Sequence, residues 1–299
     1  MGHIAKALFT CAGLLAWLAV LATPSHAQDG VAPLPGQEIV LITGSTSGLG
    51  REVALRMGQR GAHVIVHGRD RERGIAVVAE INAGPGTARF YAADFADFKN
   101  VRSLAAAVLA DYDRLDVLVN NAGFGSAPDE RWLSENGHEF RFQVNYLSPF
   151  LLTNLLKQRI VESAPARIVN VSSIARSPID WDDVMIENNF SGGRAYGQSK
   201  LAQVGHTFDL HEELEGTDVV VNALHPATYM PTGMVARLGV QPRATIGEGA
   251  DGVMQLIVDD VGGGQFFNQL EPARAHDQAY DMESRSMLRE LSRELTGSR

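Results

Sequence analysis

The sequence predicts an α/β fold, one domain built on a doubly wound parallel sheet with helices on both faces. Three observations carry this reading. Short β-branched runs alternate with stretches of helical periodicity, the pattern of successive βαβ units. The strand-like runs are apolar at consecutive positions, as in strands buried on both sides. A glycine-rich turn separates the first such run from the first helical stretch. The first strand is expected near 38–43, from Ile39-Val40-Leu41-Ile42, and the first helix near 48–60, from the pattern Arg51 to Arg60. A second strand near 62–67 leads to a helix near 70–82, for which Asp70 is the natural cap. A strand near 88–92 precedes a helix near 97–112. Leu115 to Val119 places a strand near 116–120, followed by a helix near 136–158. The run Arg167 to Ser173 places a strand near 167–172 that ends in a loop, with a helix near 195–214. The remaining expectations are a strand near 218–224, a helix near 247–258, a strand near 265–268 and a helix near 272–293.

Length and composition bound the function. A chain of 299 residues holds one large domain with a real core. Its formal charge of −9 and the absence of a basic cluster argue against a nucleic-acid partner. Cys11 is the only cysteine, so no internal disulfide forms, and no Cys/His set has the spacing of a metal site. Residues 1–27 have the layout of a signal peptide: one charge at Lys6, an uncharged stretch from Ala7 to Ala22, and small residues Ser25 and Ala27 before a cut. Export is the expectation, with the alternative that the segment stays as a membrane anchor. Residues 28–37 are Pro/Gly-rich and read as a linker to the domain 38–299.

Two motifs carry chemistry. The first is Thr43-Gly44-Ser45-Thr46-Ser47-Gly48-Leu49-Gly50, between a strand and a helix. Glycine lets backbone turn sharply and approach a pyrophosphate, whose oxygens the free N–H groups of a helix start can bind. The second is Tyr196 and Lys200, four apart and so one turn apart on one helix face. An ammonium beside a phenol favours the phenolate and makes a tunable proton donor or acceptor.

Together with other segments these motifs resemble the short-chain dehydrogenase/reductase family, from about Glu38 to the C-terminus. Asn120-Asn121-Ala122-Gly123 resembles the element beside the adenosine pocket. Asn145 matches the active-site asparagine, and Ser173, the second serine of Ser172-Ser173, matches the catalytic serine. The subgroup most similar is the retinol-dehydrogenase type, by the Val144-Asn145 context, the long interval from Ser173 to Tyr196, and the ending Ala279-Tyr280-Asp281 through Leu288 and Leu291. The resemblance implies a Rossmann-type fold and hydride transfer between nicotinamide and a carbonyl or alcohol carbon. It implies Tyr196 as general acid/base, Ser173 as the group holding the substrate oxygen, Lys200 as the residue that lowers the tyrosine pKa and binds the nicotinamide ribose, and Asn145 as holder of a relay water.

The cofactor is expected to be NADP rather than NAD. No acid ends the second strand, and Arg69 stands where related NADP-dependent members place a phosphate-binding arginine. Gly44, Ser45, Thr46, Ser47, Gly48, Leu49, Gly50, Asp94, Phe95, Asn121, Ala122, Gly123, Tyr196, Lys200, Pro226 and Thr228 complete the expected cofactor set. Ala227 departs from the glycine that many relatives have after the proline. His225 is expected to end a strand, with lining of the site as the alternative. Phe124, Trp181, Phe190, Tyr229, Met230 and Met234 are candidates for an apolar substrate wall, and the loop from Pro226 to Arg243 for a cover. The expected substrate is a small hydrophobic carbonyl or alcohol. Relatives pair through the helix carrying Tyr196 and the helix near 247–258, which makes a homodimer or homotetramer an expectation. The competing reading is a non-catalytic NADP-binding redox sensor or scaffold.

Overall fold

The computed structural model describes residue 2, residues 29–175 and residues 177–298. The expected signal peptide and its Cys11 lie outside the described residues, Gly2 apart. In chain order the elements are β1 (Asp29–Gly30), β2 (Ile39–Ile42), α1 (Gly48–Gln59), β3 (His63–Gly68), α2 (Arg71–Asn82), β4 (Thr87–Ala92), α3 (Phe98–Asp111) and β5 (Val117–Asn120). Then follow α4 (Phe140–Phe142), a π-helical turn (Gln143–Leu147), α5 (Ser148–Glu162), β6 (Ala166–Val171), α6 (Gly192–Glu213), β7 (Val219–His225) and α7 (Gly233–Ala236). The chain closes with α8 (Ile246–Val258), β8 (Gln265–Asn268), β9 (Glu271–Ala273), a 3-10 turn (Asp277–Ala279) and α9 (Met282–Thr296).

The nine strands among the described residues form one sheet in the order β1-β4-β3-β2-β5-β6-β7-β8-β9. The seven from β2 to β8 are parallel, and the short edge strands β1 and β9 are antiparallel. Alternation along the strands sends side chains to two cores. Leu41, Ile65, Leu118, Ile168 and Val221 face the layer of α3 and α5. Val40, Ile42, Val64, Val66, Val119 and Leu224 face the layer of α1 and α8. Strand order reverses between β2 and β5, so the carboxyl ends of these two strands open a crevice, where ligands of such sheets bind.

Three expectations change. Residues 29–37 are docked rather than a free linker: Val31 N–H donates to Ala88 O at 2.9 Å, and the Gln37 amide donates to Gly61 O and accepts from the Thr87 hydroxyl. The helix expected near 136–158 begins at 140 and widens into the π turn. The helix expected near 272–293 is β9, a turn and then α9. That last helix lies along α6, with Arg285 on Glu212, Arg289 on Asp209 and Leu288 in the core. Pairing of two chains through this face of α6 would have to displace α9. Among the described residues no helix is long and apolar enough to cross a membrane.

Burial fixes a pH limit. His63, His67, His206 and His225 are each pushed down to about 4 because burial disfavours the imidazolium. Below about pH 6.5 the unfolded chain takes up protons that the fold refuses, so stability falls as pH drops toward 4. Glu38, Glu139 and Asp209, whose pKa values are raised, oppose the trend in part. We expect Tm to drop by on the order of 10 °C between pH 7 and pH 4.5, measured by calorimetry.

Candidate active site

A cavity of about 1190 Å³ lies over the carboxyl ends of the strands, larger than the roughly 300–1,000 Å³ of a typical small-ligand pocket. Its floor is the turn after β2. Thr43 pins that turn to the next one: its hydroxyl donates to Val119 O and accepts from the N–H groups of Asn121 (2.9 Å) and Ala122 (3.0 Å). The Asn121 amide donates to Thr43 O at 2.8 Å. Gly44 and Gly48 hold φ of +67° and +56°. A Cβ on Gly44 would stand 2.9 Å from Ala122 Cα, and one on Gly50 2.5 Å from Gly44 O, so both positions require glycine. Side chains cap α2, α3, α6, α8 and α9. The α1 terminus at Ser47 has no side-chain cap, and it lines the cavity. Uncapped N–H groups in a glycine cradle fit a pyrophosphate.

Most expected cofactor residues line this cavity: Gly44, Thr46, Ser47, Gly48, Leu49, Gly50, Arg69, Asp94, Phe95, Asn121, Ala122, Gly123, Pro226 and Thr228. Ser45 does not. It is buried beneath the turn, where its hydroxyl donates to Ile42 O at 2.7 Å and accepts from His67 N–H at 3.0 Å. Its role is to hold the turn against β3.

The far end of β3 carries Arg69, 61% exposed and 3.6 Å from Asp94. Asp94 is also tied into its own turn, accepting from Ala96 N–H. Asp70 caps α2 and pairs with Arg73, so the nearest acids are already engaged by cations. Sequence reasoning gave no role to His67. It accepts from Gly44 N–H at 3.2 Å through Nδ1 and stacks on Phe95 at 4.7 Å. Its Nε2 lies 3.2 Å from Ala93 O, which places the ring proton there.

At the opposite end the structure brings Tyr196, Ser173 and Lys200 together on the cavity wall. Ser173 lies beside the Tyr196 phenol and draws its pKa down. Burial raises the phenol pKa, and Ser173 only partly offsets the rise. Lys200 is 3% exposed, and burial pushes its ammonium down to about 7. Its Nζ donates to Val171 O at 2.7 Å and to Gln203 Oε1 at 3.2 Å. Desolvation thus sets the direction of the tyrosine pKa, opposite to that expected of Lys200, whose ammonium is turned to β6 and Gln203.

Asn145 sits in the π turn, fully buried. Its side chain accepts from Phe124 N–H at 2.6 Å and donates to Phe124 O and to the Ser199 hydroxyl. Both N–H donors of the amide and one lone pair of its oxygen are thus occupied by protein groups. The Asn145 carbonyl is different. In a continuous α-helix it would bond the N–H of residue 149, and Pro149 has none.

Phe124, Tyr229, Met230 and Met234 line the cavity, whereas Trp181 and Phe190 do not. Phe190 instead lies under the Arg141 guanidinium. Arg141 was not foreseen. It is fully buried, pairs with Glu139 at 3.3 Å, and donates to the carbonyls of Gly125, Ser126, Pro128 and Glu130, shaping the loop beside the site. A charged residue between Phe140 and Phe142 was the available signal. The cover from Pro226 to Arg243 is closed at its base by Arg243 N–H donating to Tyr229 O. Ala227 needs no positive φ, since the left-handed position falls on Tyr229 at +52°. His225 both ends β7 and lines the cavity, with Nε2 3.0 Å from the Thr228 hydroxyl.

Fold and site define a nicotinamide-dependent oxidoreductase. Residues 38–242 match the short chain dehydrogenase family. The chain is 39% identical over 226 residues to retinol dehydrogenase 13 of Homo sapiens, covering 74% of this chain and 67% of that protein. Across the similar retinol dehydrogenases the matched stretches span 59% to 73% of those proteins. A crystal structure of an uncharacterised Mycobacterium paratuberculosis protein aligns with a TM-score of 0.74 at 30% identity, covering 90% of this chain and 98% of that one. A short chain dehydrogenase from Shigella flexneri complexed with NADP aligns with a TM-score of 0.61 at 26% identity, covering 78% and 96%. The chain belongs to the short-chain dehydrogenase family and resembles its retinol dehydrogenases.

Proposed function

We propose that the protein transfers hydride between NADP(H) and the carbonyl or alcohol carbon of a small apolar substrate. The observation that carries this is the placement of Tyr196, Ser173 and Lys200 together on the wall of a cavity that also takes in an uncapped helix terminus in a glycine cradle. NADPH, when bound, supplies the hydride. Tyr196 Oη gives its proton to the carbonyl oxygen in reduction and takes it back in oxidation. The Ser173 hydroxyl holds that oxygen beside the phenol. Lys200, with a pKa near neutrality, exchanges protons readily behind Tyr196. We assign the relay water to the Asn145 carbonyl rather than to its amide.

NADP is proposed over NAD because Arg69 is exposed at the end of β3 and no unpaired acid stands beside it. Arg69→Ala is expected to weaken NADPH binding about 10- to 100-fold and to leave NADH binding within about twofold, measured by fluorescence titration. Equal effects on the two cofactors would reverse the preference. Retinol dehydrogenase, the name of the similar curated proteins, supports an apolar alcohol or aldehyde as substrate. NADPH oxidation with a panel of apolar aldehydes tests the activity. Export with cleavage after Ala27 remains our proposal, and it would leave β1, which starts at Asp29, intact.

A further inference from the structure

Six acidic or basic side chains line the cavity: Arg69, Asp70, Arg73, Asp94, Lys200 and Arg237. Arg69 pairs with Asp94, Arg73 with Asp70, and Lys200 is spent on Val171 O and Gln203. The Arg237 side chain makes no ion pair or hydrogen bond with any described residue; its backbone N–H closes α7 on Val235 O. It follows α7 on the cover, is exposed, and carries its guanidinium 5.4 Å over the Phe124 ring. Phe124 is itself fixed to the reacting end through Asn145, and Arg141 lies 5.4 Å from the same ring. A ring face holds a guanidinium by its charge and leaves the in-plane N–H donors open. Phe140 packs edge-on against the same ring at 5.1 Å, and Val144, Ile174, Met234 and Leu238 add apolar lining to the cavity. Both lining carboxylates are at the other end of the cavity, beside Arg69.

From this placement we propose that Arg237 reads a carboxylate on the substrate, so that the compound reduced or oxidised here is an apolar oxo- or hydroxy-carboxylic acid. The acid is held at Arg237 and the reacting oxygen at Tyr196 and Ser173. An arginine fork matches a carboxylate with two hydrogen bonds, and an apolar surround strengthens the pair. The inference rests on the proposed oxidoreductase reading and adds the polarity of the substrate tail.

The test uses the full chain saturated with NADPH, in which an alcohol binds without turnover. para-Carboxybenzyl alcohol and a graded series of ω-hydroxy acids are titrated calorimetrically beside their methyl esters, into wild type, Arg237→Ala and Arg237→Lys. We expect at least one acid to bind about tenfold or more tightly than its ester, with a preference that falls with added salt. Arg237→Ala should abolish the preference, and Arg237→Lys should keep part of it. No preference in wild type, or one that survives Arg237→Ala, overturns the proposal. So does a loss of NADPH affinity in Arg237→Ala, which would give the residue to the cofactor. Reduction of the aldehyde methyl esters is scored separately: its absence beside an intact acid preference sinks the oxidoreductase reading and leaves Arg237 standing.

Discussion

Tyr196→Phe is expected to lower aldehyde reduction by about 10²- to 10⁴-fold, with NADPH affinity within about twofold of wild type. The variant keeps the ring that lines the cavity and removes only the oxygen beside Ser173. Burial raises the phenol pKa, so at neutral pH the tyrosine is protonated, the form that reduction consumes. The loss should therefore appear in kcat and kcat/KM together, because the proton moves only in the transition state. Ser173→Ala should fall less steeply, since the phenol can still reach the carbonyl oxygen when its partner is gone. Stopped-flow single-turnover measurements separate this step from product release. Full turnover in Tyr196→Phe would end the assignment of the proton to this residue.

What the sequence could and could not announce follows from which forces are local. The central strands β2 and β5 were legible because each centres on a run of consecutive apolar residues closed by a polar turn, and β8 falls where it was expected. The edges were not. Asp29–Gly30 and Glu271–Ala273 are too short to show alternation, and their pairing is set by unsatisfied groups on β4 and β8. The helix near 136–158 read as continuous because apolar periodicity hides one extra residue per turn; Pro149 was the sign that the backbone could not run straight. The glycine turn announced a phosphate site, yet spacing alone does not tell which residue of a turn faces inward, and Ser45 faces the core. Asn145, Ser173, Tyr196 and Lys200 were identified as a set, and three of them meet on one wall. The direction of the tyrosine pKa depended on burial, which no motif states. Arg141 and the cation over Phe124 depend on contacts between distant segments, so only the fold exposes them.

Lys200→Met is expected to melt higher than wild type at pH 6 while losing turnover. In wild type the ammonium is buried and its pKa sits at about 7, against 10.5 for the free side chain. Below pH 7 both folded and unfolded chains hold the proton, and the fold carries the full cost of burying it. Between pH 7 and 10.5 the unfolded chain binds the proton more tightly, so wild-type stability rises with pH across that window. Methionine has a similar stem and no charge to bury. It strands Val171 O and Gln203 Oε1 without a donor, at about 1–3 kcal/mol per buried group, which offsets part of the gain. A net stabilisation of about 1–3 kcal/mol would raise Tm by roughly 2–6 °C at pH 6. The gap should then close as pH climbs from 7 toward 10.5. His63, His67, His206 and His225 are common to both chains, so their titration largely cancels in the difference. A gap that stays constant with pH would show that Lys200 is not held as a buried ammonium. A closing gap would show a residue that the fold tolerates against its own stability, which is the expected signature of a side chain kept for the chemistry at Tyr196 rather than for packing.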